Sequence, residues 1–479
     1  MRQPIKSFTT DYLAEIVLGN AAVFAGAGLS VPAGYVDWRA LLRPLSKDLD
    51  LDIDLESDLV SVAQFHVNSR AQNRHKLHEA LLDALSRDAV PTENHQLLSQ
   101  LPIAIFWTTN YDKLIENTLH ASGKVVDVKS SVPQLATTRP GRDVTIFKMH
   151  GDIDRPDEAV VTKDDYERYS REREPFITAL AGDLVKKTFL FLGFSFSDPN
   201  LEHVLSQVRL NFTTNQRQHY AVFRSRKKLD GESEQHFAHH LAKQAHVIDD
   251  LKRFNVRVLL VNEYSEITEI LRELVRQYRR RTVFVSTSAF NFDPWGKSAV
   301  IEFAQELARM LIADGSRIAT GVGAGVGDAI FSGALREIMQ TRGMTIEDAL
   351  VLRPFPQVGA PDQLPAIWEA YRQEILSQAG IALFLFGNKE EDGKVALAGG
   401  VVREFEISIE QGISVLPIGA TGSAAKTLAD QVVANPDKFT PELDAAGRTQ
   451  LGSLAADTDD LSSLIPPIVA LIRKLQGKV

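Results

Sequence analysis

Residues 21–38 read AAVFAGAGLSVPAGYVDW, and this stretch decides how the first half of the chain folds. An uninterrupted apolar run such as Ala21–Ala25 is typical of a strand buried on both faces of a parallel sheet. The strand leads into Gly26, Ala27 and Gly28 and then into a helical pattern. Glycines at such a turn let backbone N–H groups approach a phosphate at a helix N-terminus. The spacing is not GxGxxG, so a tight strand-to-helix turn without a ligand is the alternative.

Short apolar runs alternate with longer helical patterns, which predicts an α/β protein with two Rossmann-like parallel-sheet domains. Residues 40–98 carry leucines at helical spacing and predict a helical insertion in the first domain. A new alternation begins at residue 282, so we expect domains at 1–281 and 282–479. The predicted strands are Ala21–Ala25, Ile103–Trp107, Val144–Met149, Phe189–Phe194, Tyr220–Phe223 and Val256–Val261, followed by 282–290, 317–320, 349–352, 381–386 and 413–417.

The composition narrows the possible classes of protein. Of 479 residues, 44% are hydrophobic and 24% are charged, which is typical of a globular chain, and the net charge of -9 argues against general nucleic-acid binding. The longest apolar runs are too short to span a bilayer, and the N-terminal residues lack the apolar core of a signal peptide. We therefore expect a cytoplasmic protein. Because the chain has no cysteine, disulfides, thiol nucleophiles and cysteine-bound zinc are excluded.

Three more buried strands lead directly into polar side chains. Residues 108–112 read TTNYD, residues 150–152 read HGD, and residues 193–198 read GFSFSD. The carboxyl ends of parallel strands are where α/β folds bind their ligands. We therefore expect these segments to meet the GAGLS segment, residues 26–30, at one edge of the sheet.

The segments GAGLS, TTNYD, HGD and GFSFSD, in this order, resemble the NAD-binding core of the sirtuin family over roughly residues 10–280. Sirtuins usually have Gln at the position of Thr109 and carry a Cys-rich zinc ribbon, and this chain has neither. In these departures it is similar to bacterial sirtuin-like domains that consume NAD. The resemblance implies an NAD glycohydrolase for which NAD is the substrate and neither zinc nor another metal is expected.

The resemblance also implies roles for individual residues. Asn110 would hydrogen-bond the ribose hydroxyls or the attacking water, and His150 would accept a proton near neutral pH, so both are predicted to be catalytic. Asp112 has two interpretations, because it could position Asn110 or the ribose, or cap the next helix. The predicted NAD-binding residues are Gly26, Ala27, Gly28, Ser30, Asp37, Thr109, Asp112, Gly193 and Ser195.

The second half contains a glycine-rich loop within RIATGVGAGVGDAIFSGAL, residues 317–335. Glycines at alternate positions before a helix predict an anion-binding loop, with a merely flexible turn as the alternative. Arg372 and Lys389 could bind phosphates, and Glu404 could bind ribose hydroxyls, although each alone is more often a surface charge. The predicted residues of this second pocket are Ser288, Gly323, Gly325, Arg372, Lys389, Gly399 and Glu404.

The glycine loop and the GGxxxE-like element that ends in Glu404 resemble the SLOG family over about residues 282–479. SLOG domains are Rossmann-like modules that commonly sense nucleotide-derived signals. A sirtuin-like domain followed by a SLOG domain resembles the effectors of Thoeris anti-phage defence. This resemblance implies an allosterically activated NADase whose signal is a cyclic ADP-ribose isomer made by a TIR-domain partner.

An NADase needs an inactive resting state, and repacking between subunits is a natural two-state element, so we expect a homotetramer or larger assembly. The acidic net charge and the short apolar runs predict no nucleic-acid or membrane partner. Two other classes of function stay open. One is a deacylase or ADP-ribosyl transferase that uses the same NAD site, and the other is a non-catalytic nucleotide sensor.

Overall fold

The computed structural model describes residues 3–85, 89–196, 198–212, 215–356 and 363–478. They form two compact units, Met1–Val275 and Arg276–Val479, and the division lies within a helix, slightly before residue 281. Ser197 of the GFSFSD segment lies outside the described residues. Within these ranges no helix is both long and apolar enough to cross a bilayer.

The first unit contains a seven-stranded parallel sheet with the strand order β3-β4-β2-β1-β5-β6-β7. Its strands are β1 Ala21–Ala25, β2 Ile105–Thr108, β3 Val126–Lys129, β4 Val144–Lys148, β5 Thr188–Leu192, β6 His219–Arg224 and β7 Val256–Val261. Each predicted strand of this domain overlaps an observed one, and β1 and β7 occupy the predicted residues. Strand β3 was not predicted, because its sequence VDVK alternates apolar and charged residues at the edge of the sheet.

Helices cover the sheet and form the predicted insertion. They are α1 Gln3–Val17, α2 Ala27–Ser30, α3 Trp38–Lys47, α4 Leu59–Ser69, α5 His75–Leu85, α6 Glu93–Ser99, α7 Leu114–Ala121, α8 Val132–Leu135, α9 Lys163–Glu172, α10 Glu174–Lys186, α11 Pro199–Asn211, α12 Glu234–Leu251 and α13 Ser265–Arg280. Helices α3 to α6 occupy the predicted insertion at residues 40–98. Leu41, Leu42 and Val62 of this insertion belong to a small apolar core that is separate from the main core of the sheet.

The main core of the first unit is rich in aromatic side chains. Trp107 of β2 is fully buried, and its ring stacks on Phe147 with 4.3 Å between the ring centroids. Its Nε1 donates a hydrogen bond to Asp183 at 2.9 Å, so the one polar atom of the indole is satisfied in the interior. This packing anchors the strand that leads into the TTNYD segment.

The second unit contains a five-stranded parallel sheet with the order β10-β9-β8-β11-β14 and a separate antiparallel hairpin. The strands are β8 Thr282–Ser288, β9 Arg317–Thr320, β10 Leu350–Leu352, β11 Ile381–Phe386, β12 Asn388–Glu391, β13 Lys394–Leu397 and β14 Ser414–Pro417. All five predicted strands are present. The β12–β13 hairpin was not predicted, because its residues are mostly exposed and charged and give no apolar run.

The helices of the second unit begin after the first of these strands. They are α14 Lys297–Ala313, α15 Gly327–Gln340, α16 Ile346–Ala349, α17 Leu364–Ser377, α18 Gly399–Glu410, α19 Ser423–Ala434, α20 Pro436–Phe439, α21 Ala445–Ser453 and α22 Ile465–Leu475. Helices α14 and α15 approach each other very closely at Gly333. A Cβ atom at this position would lie 1.9 Å from the carbonyl oxygen of Gln305. Only glycine therefore fits there without moving one helix.

Gly333→Ala should lower the free energy of unfolding of the second unit by about 1–3 kcal/mol, because the two helices must separate to admit the methyl group. Urea unfolding followed by circular dichroism measures the change. Gly452→Ala in α21 is the matched control, since no described atom lies within 4 Å of the added Cβ. That variant should keep or slightly raise the stability, because alanine favours helix. Equal losses in the two variants would contradict the close approach.

Candidate functional site

A cavity of about 720 Å³ opens at the carboxyl ends of β1, β2, β4 and β5. These strands are neighbours in the sheet, so the segments that follow them meet at one edge. The predicted site residues in its wall are Ala27, Gly28, Ser30, Asp37, Thr109, Asn110, Asp112, His150, Gly193 and Ser195. The structure thus brings the four sequence segments together, and Gly26 adjoins them through its carbonyl group.

The loops after β1 and β5 cross in direct backbone contact. The N–H of Gly26 donates to the carbonyl of Leu192, and the N–H of Gly28 donates to the carbonyl of Gly193, each at 2.9 Å. Gly193 has φ +64°, and a Cβ atom there would lie 2.2 Å from the backbone nitrogen of Leu29. Both N–H groups of these first two glycines are therefore used within the protein, and the glycines are needed for the crossing.

Asn110 is buried and its side-chain amide is held in one orientation. Its Nδ2 donates to the carbonyl oxygen of Gly26 at 3.1 Å and to Ser30 Oγ at 3.0 Å. Because a carbonyl oxygen can only accept, the nitrogen end of the amide must face Gly26. Both amide hydrogens are committed in this way, so Oδ1 is the atom that can accept a hydrogen bond from a bound hydroxyl or water.

His150 is also buried, and its Nε2 lies 3.2 Å from Asp198 Oδ2. This approach does not have hydrogen-bond geometry, and Nε2 has no hydrogen-bond partner among the described residues. The Tyr166 ring packs edge-on against the imidazole at 5.4 Å, and its hydroxyl donates to the same Asp198 oxygen at 3.3 Å. His150, Tyr166 and Asp198 therefore form one cluster in the wall of the cavity.

Sequence reasoning missed Asp198 and Tyr166 as site residues. Burial alone would raise the pKa of Asp198, but His150 and the backbone N–H groups of Leu201 and Asn200 outweigh burial and hold the pKa below its usual range. The carboxyl group is therefore ionised. The GFSFSD segment did contain Asp198, but an Asp-Pro pair before a helix also signals an N-cap. Asp198 has that role too, since it accepts the N–H of Leu201 at 3.0 Å.

Other acidic residues of the wall also bind helix ends. Asp112, the residue before the N-cap Lys113, accepts the N–H of Leu114 on its Oδ1 at 3.0 Å and so supports the start of α7. Asp37 accepts the N–H of Ala40 at 2.8 Å and caps α3. In the part of the chain that the structure describes, no group of three or more histidine and acidic side chains is placed to hold a metal ion.

The helical insertion supplies a further wall of the cavity, which sequence reasoning also missed. Trp38, Asp58 and Leu59 line it, and the Trp38 ring stacks on Tyr111 with 6.4 Å between the ring centroids. The position of the insertion in the chain could have predicted this wall. The insertion lies between the GAGLS and TTNYD segments, so it leaves the sheet at the edge where ligands bind.

In the second unit the glycine loop packs directly against the end of β8. A Cβ atom at Gly323 would lie 1.6 Å from the carbonyl oxygen of Thr287, and one at Gly325 would lie 1.9 Å from that of Ala289. The N–H of Ala289 also donates a hydrogen bond to the carbonyl of Ala324 in the glycine loop, at 2.9 Å. The glycines are thus required by packing at the carboxyl edge of this sheet, immediately before α15.

Arg372 lies beside the first turn of α18, which begins at Gly399, and meets Glu404 of the second turn. Nε of Arg372 lies 3.7 Å from Oε1 of Glu404, and the guanidinium lies over the Phe355 ring. A Cβ atom at Gly400 would lie 3.0 Å from Arg372 Nη2, so the arginine approaches this helix end closely. An arginine and a carboxylate beside a helix N-terminus could bind a phosphate and a sugar hydroxyl together.

Ser288 and Lys389 have other partners in this structure. Ser288 Oγ donates to the carbonyl of Asn388 at 3.1 Å, at the start of the hairpin. Lys389 lies in the hairpin, its side chain is 45% exposed, and its Nζ is 3.3 Å from Glu391. Of the residues predicted for the second pocket, Arg372 and Glu404 are the two charged side chains that the structure brings together.

The two folds and their sites define the class of protein: a sirtuin-like domain followed by a SLOG domain. The family model described as a SIR2-like domain matches residues 104–247, and that of the Sir2- and TIR-associating SLOG family matches residues 266–475. The domain order expected from the sequence is confirmed.

Full-length relatives identify the family more closely. The NAD(+) hydrolase ThsA of Acinetobacter baumannii is 45% identical over 466 residues, which is 96% of each chain. The NAD(+) hydrolase ThsA of Bacillus cereus is 42% identical over 477 residues and 100% of each chain. Defense-associated sirtuin 2 of Bacillus subtilis is 26% identical over 199 residues, 40% of this chain and 19% of that protein. The chain belongs to the ThsA family.

The buried Glu404 should make the second unit less stable as the pH rises. Burial raises the pKa of Glu404 to about 7, although Ser286 and Arg372 act in the opposite direction. Between the ordinary pKa of 4.5 and this value, the folded state keeps a proton that the unfolded state has lost. The free energy of unfolding should therefore fall by about 3 kcal/mol relative to Glu404→Gln as the pH rises from 4 to 8.

Urea unfolding of both proteins across this pH range tests the expectation. Glu406→Gln, on an exposed face of the same helix, is the control and should follow the wild type. Parallel curves for the wild type and Glu404→Gln would show that the Glu404 carboxyl titrates normally.

Proposed function

We propose that this protein is an NAD⁺ glycohydrolase that cleaves NAD⁺ to nicotinamide and ADP-ribose in anti-phage defence. The observation that carries the proposal is that the buried side chains of Asn110 and His150 line one cavity at the carboxyl edge of a sirtuin-like sheet. The names of the full-length ThsA relatives support the same activity, and the name of the partial relative supports a role in defence.

The proposed reaction breaks the bond between the ribose C1′ and the nicotinamide nitrogen. The electron pair of that bond stays with the pyridinium nitrogen, so nicotinamide leaves as a neutral molecule and the step asks for no metal ion. An oxocarbenium-like centre remains on the ribose. Asn110 Oδ1 would accept a hydrogen bond from a ribose hydroxyl or from the attacking water and so hold the reacting groups in place.

His150 would act as the general base. Its Nε2 would take a proton from the water as the water oxygen forms the bond to C1′. Asp198, whose Oδ2 is 3.2 Å from Nε2, would stabilise the positive charge that the imidazole gains. The backbone and side-chain groups of Gly26, Ala27, Gly28, Ser30, Asp37, Thr109, Asp112, Gly193 and Ser195 would surround the rest of NAD⁺.

Product analysis separates this proposal from its alternatives. A deacylase would release O-acyl-ADP-ribose, and an ADP-ribosyl transferase would attach ADP-ribose to an acceptor. A non-catalytic sensor would bind NAD⁺ without releasing nicotinamide. Free ADP-ribose and nicotinamide in equal amounts are the expected products of the hydrolase.

The proposal includes activation by a cyclic ADP-ribose isomer bound to the SLOG domain. An NAD hydrolase without control would exhaust the NAD of its own cell, so the resting state must be inactive. A ligand can switch such a protein only by binding the active arrangement more tightly. Arg372 would bind a phosphate of the signal and Glu404 a ribose hydroxyl.

A TIR-domain enzyme is the proposed source of this signal. The description of the matched family as Sir2- and TIR-associating supports that partner. We further infer a homotetramer or larger assembly, because repacking between subunits is a natural two-state element for such a switch.

His150→Ala should lower the rate of nicotinamide release by about 100- to 10,000-fold, because the general base is lost. Asn110→Ala should cause a loss of similar size, because the ribose and water are no longer held. Chromatography of nicotinamide from the activated protein measures both. His120→Ala, at an exposed position of α7, is the control and should be as active as the wild type. Near-normal turnover in either site variant would remove that residue from the proposed mechanism.

Arg372→Ala should abolish activation, because the variant lacks the positively charged side chain that would bind a phosphate of the signal. The test measures NAD⁺ loss with a panel of cyclic ADP-ribose isomers, for the wild type and the variant. Arg336→Ala, at an exposed position of α15, should respond like the wild type. Normal activation of Arg372→Ala would show that the signal binds at another site. Hydrolysis by the wild type without any signal would contradict the proposed activation, although the NAD⁺ hydrolase activity itself would be confirmed.

A further inference from the structure

Lys148, the last residue of β4, is a fully buried lysine with four oxygen atoms around its ammonium group. Nζ lies 2.6 Å from the carbonyl oxygen of Asp112 and 3.1 Å from that of Tyr111. It also lies 2.8 Å from Glu116 Oε1 and 2.6 Å from Asp152 Oδ2. Both acidic side chains are themselves buried. One cation therefore joins the end of β4, the segment after β2, the HGD segment and helix α7.

Lys148 is charged in the folded protein. Burial alone would lower its pKa, but Glu116 and Asp152 outweigh burial and raise the pKa above its usual value. Buried ion clusters of this kind seldom make a protein more stable than a well-packed apolar core would. The other residues of β4, which reads VTIFK, are mostly buried and largely apolar. Stability alone therefore does not explain why the strand ends in a charged lysine.

Three of the residues that contact Lys148 come directly after a predicted catalytic residue in the sequence, or two residues after one. Asn110 immediately precedes Tyr111, and His150 stands two residues before Asp152. An apolar side chain could fill the same space but could not bind the two carbonyl oxygens and the carboxylate. The ammonium group thus restrains the backbone on which Asn110 and His150 are carried.

We propose that Lys148 is a positioning residue for NAD hydrolysis, which sets the placement of Asn110 relative to His150 by tying the TTNYD segment to the HGD segment. This inference rests on the proposed function, since it assigns Lys148 a part in that reaction. Lys148 has no contact with the substrate in this role. It acts only through the two segments.

The main test uses Lys148→Arg in the full-length, activated protein. Lys148→Met is unsuitable because it would leave two buried carboxylates unpaired and is expected to unfold the unit. Arginine keeps the charge, but its planar, larger head group cannot take the same four contacts. We expect kcat to fall by about 10- to 100-fold with little change in the KM for NAD⁺, because binding is kept while alignment is lost.

Lys129→Arg is the matched control for a structural effect alone. Lys129 is also a buried lysine at the end of a strand of the same sheet, and its Nζ lies 2.8 Å from Asp127 Oδ1. Its other contact is the carbonyl of Thr137, outside the two site segments. This variant should lower the melting temperature as Lys148→Arg does, yet leave kcat unchanged. Equal kcat values for Lys148→Arg and the wild type, or equal losses in both variants, would overturn the inference.

A second measurement is independent of turnover and of the arginine variant. Glu116→Gln keeps an oxygen acceptor for Nζ but replaces the buried carboxyl group by a neutral amide, so it should loosen the cluster without breaking it. Amide hydrogen exchange should become faster in residues 109–113 and 150–152 together, while exchange in β1 and β5 is unchanged. Unchanged exchange in the two segments would also overturn the inference. If the activated wild type released no nicotinamide, the proposed function would fail, whereas this exchange result would still be informative.

Discussion

The backbone contact between Gly28 and Gly193 is the constraint on which the first unit depends. Two loops must share the space above β1 and β5, and they do so only because neither glycine carries a side chain there. This crossing fixes the turn at Gly26 and directs its carbonyl oxygen towards Asn110. The amide of Asn110 is then oriented by the backbone, and its Oδ1 is left for the cavity.

Buried polar groups of the site are arranged around one another before any ligand binds. Asn110 is held by two acceptors, Asp198 by a tyrosine and two backbone N–H groups, and Lys148 by four oxygens. Such a site needs little reorganisation when charge develops on a substrate, which is the physical basis of electrostatic catalysis. His150 differs from these residues, because its buried Nε2 lies beside Asp198 without a hydrogen-bond partner in the described structure.

The sequence predicted the central strands well because both faces of each are buried, which leaves a continuous apolar run. It also predicted that the four segments would meet, since parallel strands share a carboxyl edge. It did not predict β3 or the β12–β13 hairpin, whose charged residues give no such run. Asp198 and Lys148 were missed for a different reason. Each has partners in distant segments, such as His150 for Asp198 and Glu116 for Lys148, and no local sequence pattern contains those tertiary contacts.

The helical insertion has a consequence for how this architecture can vary. Its side chains share a small core with Tyr111, Ala159 and Val161, while Trp38 and Asp58 line the cavity. Because Tyr111 directly follows Asn110 in the chain, a substitution in that core is transmitted to the segment that carries Asn110. The helices that line the cavity entrance and the segment that carries Asn110 are therefore coupled through one core, so a change in the first is expected to move the second.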